Sequence, residues 1–440
     1  MSDTNYKAIV FTIKNLRKIE KADRLLATSI FGNNVIVGID TKEGQKGLYF
    51  PLESQIGLEF AVANDLLRRK NPETGKAEGG MFDENRRVRA QIFRGERSMG
   101  FWIPIESLNK LAQGFDNQIE DLKDGEEILE FNGHEIAKKY IPRNTKGQSS
   151  VSNNNQGKKK ESKVIEGQFR FHKDTAQLGK NMHRIEPDDL IAITYKYHGT
   201  SAIAANVLVK REMTWKYKLV KAINKLLGLK ASFEHYDYLY ASRTVVKNDT
   251  NHPGWYGEDL WTAAGKKYFE GNLKQGETIY YEIVGYTEGG KAIQKGYDYG
   301  CKVGEYFPII YRITYTLPDN TVVELPWHQV EERAKQLGVK SALTLYYGKA
   351  VDLIDTSEDS LTTLDNWQER VLKHLQDTYL EKDCIFHPKG VPAEGICVRK
   401  EGLELDTFKL KSFRFLQKET EDLDKGEIDL ETEQSQENEQ

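Results

Sequence analysis

The stretch TKGQSSVSNNNQGKKKESK, residues 145–163, constrains this chain more than any other feature. It is rich in Ser, Asn, Gly and Lys and nearly devoid of apolar side chains, so it cannot bury enough surface to offset the entropy of ordering it. It has the composition of a flexible linker. At roughly 100–200 residues per domain the 440 residues suggest two or three domains, and a boundary is expected here. We expect a first body over 1–144, a linker over 145–166, a second body over 167–418 and an acidic tail over 419–440.

Before the linker, short apolar runs alternate with turn signals: YKAIVFTI, NNVIVGI, KGLYFPL, RRVRAQIF and MGFWIPI. Short strands at this spacing predict a small β-barrel. Period-two alternation puts Val88, Ala90 and Ile92 inside and Arg87, Arg89 and Gln91 outside. Arg94, Arg97, Phe93, Phe101 and Trp102 extend a surface of mixed basic and aromatic character. Such a surface is either an ordinary solvated face or an oligonucleotide-binding (OB) barrel, in which arginines track phosphates and aromatics stack on bases. Arg87, Arg89, Arg94 and Arg97 are the candidate nucleic-acid contacts.

Strands again dominate after the linker: DLIAITYKYHG, SAIAANVLV, ETIYYEIVGY, FPIIYRITYTL, GICVRK and LDTFKLK. Two helices interrupt them. PWHQVEERAKQLG opens on proline and stops at Gly338, and NWQERVLKHLQDTYL places Trp367, Val371, Leu375 and Tyr379 on one face. The pattern predicts a largely antiparallel α+β domain. An insertion, TWKYKLVKAINKLLGLK, carries an apolar stripe of Trp215, Leu219, Ile223 and Leu226 beside lysines; it reads as a docked surface helix or as a basic face for RNA or a membrane surface.

The net charge of −4 conceals an asymmetry. Ten acids against Lys425 give residues 419–440 a charge of −9, which leaves +5 on the first 418 residues. A mildly basic body suits a polyanionic partner. The tail is expected to be disordered and solubilising, or else to screen the basic cleft. No apolar run approaches the ~20 residues of a membrane helix, and Cys301, Cys384 and Cys397 lack metal-ligand spacing. We expect an intracellular, reduced protein without zinc, acting as a monomer in the cytoplasm of a cell, or of a host if virus-encoded.

Within ITYKYHGTSAIAANV, Lys196 interrupts a strand pattern just before a turn. A buried ammonium is costly unless compensated, and an amine becomes a nucleophile when neighbouring cations and desolvation lower its pKa. TFKLKS supplies Lys409 and Lys411, which at i and i+2 share one face. Glu282 in IYYEIVGY and Glu394 in AEGICV are carboxylates within apolar strands, and each needs a cation, a hydroxyl or a metal-bound water. Together they predict a pocket with cations for phosphates and carboxylates for ribose and metal.

The ordered set KYHGTSA, ASRTVV, IYYEIVGY, IIYRITY, AEGICV and FKLKS resembles the signature of ATP-dependent RNA ligases of the lysyl-nucleotidyltransferase superfamily. KYHG looks like motif I, Glu282 falls in motif III, Tyr311 in motif IIIa, Glu394 in motif IV, and Lys409 with Lys411 in motif V. The HGT triplet is similar to the branch typified by the phage T4 nick-sealing RNA ligase, and KGLYFPLESQI with VRAQIFRGERSMGFWIP is similar to the N-terminal OB domain of RNA ligases from Deinococcus and Naegleria. The resemblance implies an OB-like barrel followed by a nucleotidyltransferase domain of ATP-grasp-like antiparallel sheets with flanking helices. It also implies ATP and Mg2+ or Mn2+ as cofactors, and RNA with 3'-hydroxyl and 5'-phosphate ends as the substrate.

By the same resemblance Lys196 carries AMP, Lys409 and Lys411 contact its phosphate, and Arg243 contacts the phosphate or the RNA end. Tyr311 stacks on adenine, Glu282 binds ribose, Gly199 belongs to the nucleotide site, and Glu394 orients metal-bound water with Glu282 nearby. His198 and Thr200 serve the RNA steps. Two departures stand out: His198 replaces the Asp usual in the OB-bearing ligases, and the insertion within 207–240 is extra. The alternatives are an inactive nucleic-acid-binding protein and a capping-type guanylyltransferase. The latter normally carries a further OB domain after motif V, where this sequence has 29 residues.

Overall fold

The computed structural model describes the chain from residue 4 to residue 425, apart from 72, 76, 112–118, 142–162, 173, 212–216, 218–219, 221–222, 224–233, 248–258, 355–365 and 388–389. Most of the expected linker, most of the basic insertion and the tail beyond Lys425 lie outside the described residues.

In the first body, Ala8–Thr12 is apolar without alternation because both of its faces are buried. Ala8 and Val10 pack with Leu48, Phe50 and Phe60, while Ile9 and Phe11 pack with Val35, Tyr49 and Trp102. This strand pairs antiparallel with Lys46–Phe50, which pairs in turn with Phe101–Pro104; Glu127–Ile128 closes the other edge. Two hairpins flank this sheet, Leu25–Ile30 with Asn33–Gly38 and Ala90–Phe93 with Glu96–Met99. Their two-residue turns are Phe31-Gly32 (φ 51° and 76°) and Arg94-Gly95 (φ 51° and 90°). Left-handed geometry at both positions matches the twist of paired strands, which is why glycine follows. Among the described residues these strands form several antiparallel sheets around two apolar clusters, and their hydrogen bonding does not close into a single barrel.

The inside-outside expectation for residues 87–92 changes at its two ends. Val88 and Ala90 are buried, but Ile92 is 51% exposed near a hairpin tip, beyond the reach of the core. Arg87 is only 3% exposed, because the face directed away from the first core is covered by the second body.

The second body holds two sheets. One orders the strands Ala176–Gln177, Asp406–Lys411, Gly395–Lys400, Leu190–Lys196 and Thr344–Lys349, antiparallel except for the first pair. The other is built on Glu234–Ser242, Thr200–Lys210, Glu277–Gly285 and Tyr306–Thr316, all antiparallel. The chain crosses between the sheets at Tyr197–Gly199, so KYHGT is the corner joining them. Both expected helices are present, Trp327–Gln336 and Trp367–Tyr379, the latter burying Trp367, Val371, Leu372 and Leu375. A third, Phe413–Asp424, follows the Lys409 strand directly and buries Phe413, Phe415, Leu416 and Thr420. The boundary expected at residue 418 therefore falls inside a helix, whose apolar face FRFL was hidden by the acids that follow.

The two bodies are tied by side chains. Arg97 meets Glu381 at 3.0 Å and lies over the Phe413 ring, Arg89 meets Asp424 at 3.0 Å, and Lys7 and Lys180 share Glu127.

Candidate active site

Strand register assembles the site. Lys196 lies opposite Gly395, and Gly395 lies opposite Lys411; one step along, Thr194, Cys397 and Lys409 align in the same way. Side chains two residues apart share a face, so one sheet face presents Lys196, Lys409 and Lys411 together, and all three line a single cavity. The close approach depends on Gly395, whose φ is 144° and where a Cβ would lie 2.0 Å from the Leu410 carbonyl oxygen. We expect Gly395→Ala to destabilise the protein by about 3 kcal/mol and to reduce nucleotide affinity, measured by denaturant unfolding and by titration of ATP. Wild-type values in both would contradict this role.

Glu394 stands at the centre. It is 3% exposed; its Oε1 lies 2.8 Å from Lys196 Nζ and 3.5 Å from Lys411 Nζ. The charge nearest Lys196 is thus a carboxylate and not one of the expected cations. An adjacent carboxylate stabilises an ammonium, the opposite of the effect expected from Lys409 and Lys411. His198 lies on the other side of the same carboxylate, with Nδ1 3.9 Å from Oε2, and its ring is held edge-on between Tyr297 and Phe415 at 4.9 Å from each. The His198 backbone N–H donates to the Tyr299 hydroxyl at 2.7 Å, which fixes the corner.

Glu282 comes from the other sheet and accepts the Gly199 N–H at 3.1 Å. A Cβ on Gly199 would sit 2.3 Å from the Ile283 carbonyl oxygen, so this position must be glycine. The Tyr311 hydroxyl is 2.9 Å from Ser201 Oγ, with the His172 ring edge-on at 5.1 Å. Burial drives the Tyr311 phenol upward, so it is neutral and offers an aromatic face. Cys397 shares the cavity, and burial pushes its thiol up to about 11 despite Lys196 and Lys409. It is therefore not a thiolate nucleophile.

Of the expected residues, Lys196, Arg243, Glu282, Tyr311, Lys409, Lys411 and Arg87 line this cavity. Glu394, His198 and Gly199 adjoin them through the contacts above. Thr200 is fully buried at the start of its strand. The remaining first-body arginines lie elsewhere: Arg89 is divided between Asp83 and Asp424, Arg97 faces Glu381, and Arg94 is exposed at its hairpin tip. Arg87 stacks over Tyr140 at 5.3 Å.

Sequence reasoning missed several cavity residues, namely Glu53, Lys139, Tyr140 and Asp174, along with Glu419 of the terminal helix. Glu53 Oε1 reaches Lys411 Nζ at 3.6 Å, and Glu419 Oε1 reaches it at 3.7 Å. Burial raises the Glu53 carboxyl, but Lys411, a hydrogen bond with Glu419, and then Lys409 and Arg87 outweigh that effect and hold it down at about 2. Nothing local in its segment PLESQ signals a partner in the distant Lys411 strand. Among the described residues no group of three or more His, Cys, Asp or Glu side chains is arranged to hold a metal directly, and no helix is long and apolar enough to cross a membrane.

A mixed α/β chain of antiparallel sheets, with a β-rich first body against a lysine-bearing second, has the fold of RNA ligases. In particular, it is similar to Naegleria gruberi RNA ligase with PPi at 17% identity and a TM-score of 0.57, covering 94% of this chain and 99% of that one. It is also similar to a substituted apo form of the same ligase (15%, 0.57, covering 96% and 100%) and to a substituted form with ATP and Mn (16%, 0.55, covering 95% and 99%). At these identities the likeness concerns the fold. No protein-family profile matches the chain, and no curated protein matches it.

Proposed function

We propose that this chain is an ATP-dependent RNA ligase of RNA repair, joining an RNA 3'-hydroxyl to a 5'-phosphate through a lysyl-AMP intermediate and an adenylylated RNA 5' end. The observation that carries this reading is one buried carboxylate, Glu394, set between Lys196 and Lys411 beside a cavity also lined by Arg243, Glu282, Tyr311 and Lys409. In the first step Lys196 Nζ loses a proton to solvent and attacks the α-phosphorus of ATP. The N–P bond forms as the bond to pyrophosphate breaks. The AMP then passes to the RNA 5'-phosphate, and the 3'-hydroxyl displaces it.

Phosphoryl transfer depends on positioning and on charge placed where oxygens gain it. Lys409, Lys411 and Arg243 supply that charge at the α-phosphate. Arg87 and Lys139, facing the cavity from the first body, suit the rest of the polyphosphate. Tyr311 offers a neutral ring to the adenine, and Glu282, oriented by Gly199 N–H, suits the ribose hydroxyls. Glu394 and Glu282 present hard oxygens fit for Mg2+ or Mn2+ held through water, and such an ion would neutralise charge on the transferring phosphate. His198 and Thr200 are assigned to the RNA steps.

The first body is proposed as an OB-like RNA-binding module. Arg94, exposed at its hairpin tip, would meet a phosphate directly, whereas Arg89 and Arg97 would exchange Asp424 and Glu381 for RNA. The protein is proposed to act as a monomer in the cytoplasm. The test is sealing of a nicked duplex by the full chain with ATP and Mg2+ or Mn2+. Joining of a 3'-hydroxyl RNA strand to a 5'-phosphate strand is expected, with none when the 3' end is a phosphate. Absence of joining on nicked, looped and single-stranded RNA would overturn the reading.

A further inference from the structure

Asp174 was not among the expected site residues, yet it touches two of them. Its Oδ1 accepts from Arg243 Nη2 at 2.5 Å and lies 3.5 Å from Lys409 Nζ, so one carboxylate oxygen is shared by two cations that line the nucleotide cavity. Its Oδ2 accepts from the Asn5 side-chain amide at 3.0 Å, and the same amide donates to the Thr175 carbonyl at 3.2 Å. Asn5 belongs to the first body and is 8% exposed. One acid thus links two cavity cations from different sheets to the neighbouring body. Burial acts to raise its carboxyl, but Lys409, Arg243 and Lys139 hold it well below the usual range, so it is ionised.

We infer that Asp174 is a positioning residue for adenylyl transfer: its carboxylate fixes Arg243 and Lys409 at the separation the transferring phosphate requires, and Asn5 ties that geometry to the seating of the first body. The inference rests on the proposed ligase reading. Two unpaired cations in a small cavity repel each other and adopt several rotamers; a shared anion holds them in one arrangement before the nucleotide arrives. The same anion opposes the binding of a polyphosphate. Asp174 therefore weakens the ground state while it sharpens the transition state, which gives its removal a signature distinct from simple misfolding.

The test measures the rate of covalent AMP attachment to the full-length chain against ATP concentration for wild type, Asp174→Asn and Asn5→Ala. Asp174→Asn keeps the size and removes the charge. Its maximal rate is expected to fall by about 30-fold while the ATP concentration at half-maximal rate stays the same or falls. Asn5→Ala leaves the Asp174 charge in place and is expected to show a smaller loss, about 3-fold, confined to the maximal rate. A parallel worsening of rate and half-saturation in both variants, or wild-type behaviour in both, would overturn the positioning role. If wild type itself acquires no AMP, the ligase reading fails instead, so the two failures are separable. Should Asp174→Asn not fold, Asn5→Ala alone decides: wild-type kinetics there overturn the inference, and a loss confined to the maximal rate upholds it.

Discussion

Lys196→Ala is expected to lower ATP-dependent joining by about 10⁴-fold or more, because among the described residues no other side chain offers an amine at the sheet corner. Lys409 and Lys411 project from the neighbouring strand, Lys409 against Asp174 and Lys411 against Glu53, Glu394 and Glu419. The substitution also removes one ammonium from Glu394 and leaves Lys411 beside it, so the fold should survive. The defect is specific to the first step. An RNA strand supplied with AMP already on its 5'-phosphate bypasses the lysine and should still be joined. Loss of both reactions together would indicate collapse of the site, and retention of the ATP-dependent reaction would remove Lys196 from the mechanism.

Glu394→Ala is the second large effect. This carboxylate is 3% exposed and offsets two ammonium groups, one of them on the 10%-exposed Lys411. Breaking a buried pair by deleting one partner typically costs about 3–5 kcal/mol. The free energy of unfolding should therefore fall by about 3 kcal/mol, since Lys411 retains Glu53 and Glu419. Activity should fall further than stability explains, by about 10³-fold at temperatures where the variant remains folded. Glu394→Gln preserves the shape and should recover much of the stability but little of the activity. Equal recovery of both would make Glu394 a packing residue only.

Much of the second body was legible in the sequence because strand periodicity is local. Lys409 and Lys411 at i and i+2 had to share a face, and register with Gly395 and Lys196 placed that face at the corner made by KYHGT. Both helices were legible, one from its opening Pro326 and closing Gly338 and the other from the apolar stripe of Trp367, Val371, Leu375 and Tyr379. What escaped was everything that depends on the two bodies meeting. Arg87 read as outward-facing and is buried, because its outer side is the other body's inner side. Glu53 and Asp174 sit outside the strand and helix runs read from the sequence, and their ion-pair partners Lys411, Lys409 and Arg243 lie in distant segments. The terminal helix was obscured because its acidic residues dominated composition, although Phe413, Phe415 and Leu416 already spell an apolar face. A barrel was expected from the length and spacing of the strands and from the resemblance to an OB domain, and neither determines whether sheet edges pair.

The measurement that bears most directly on all of this is the intact mass of the purified chain before and after incubation with ATP and Mg2+ or Mn2+. A gain equal to one AMP, absent in Lys196→Ala and reversed by pyrophosphate, is the predicted result. A chain that joins RNA ends while its mass never changes would contradict the account at its centre.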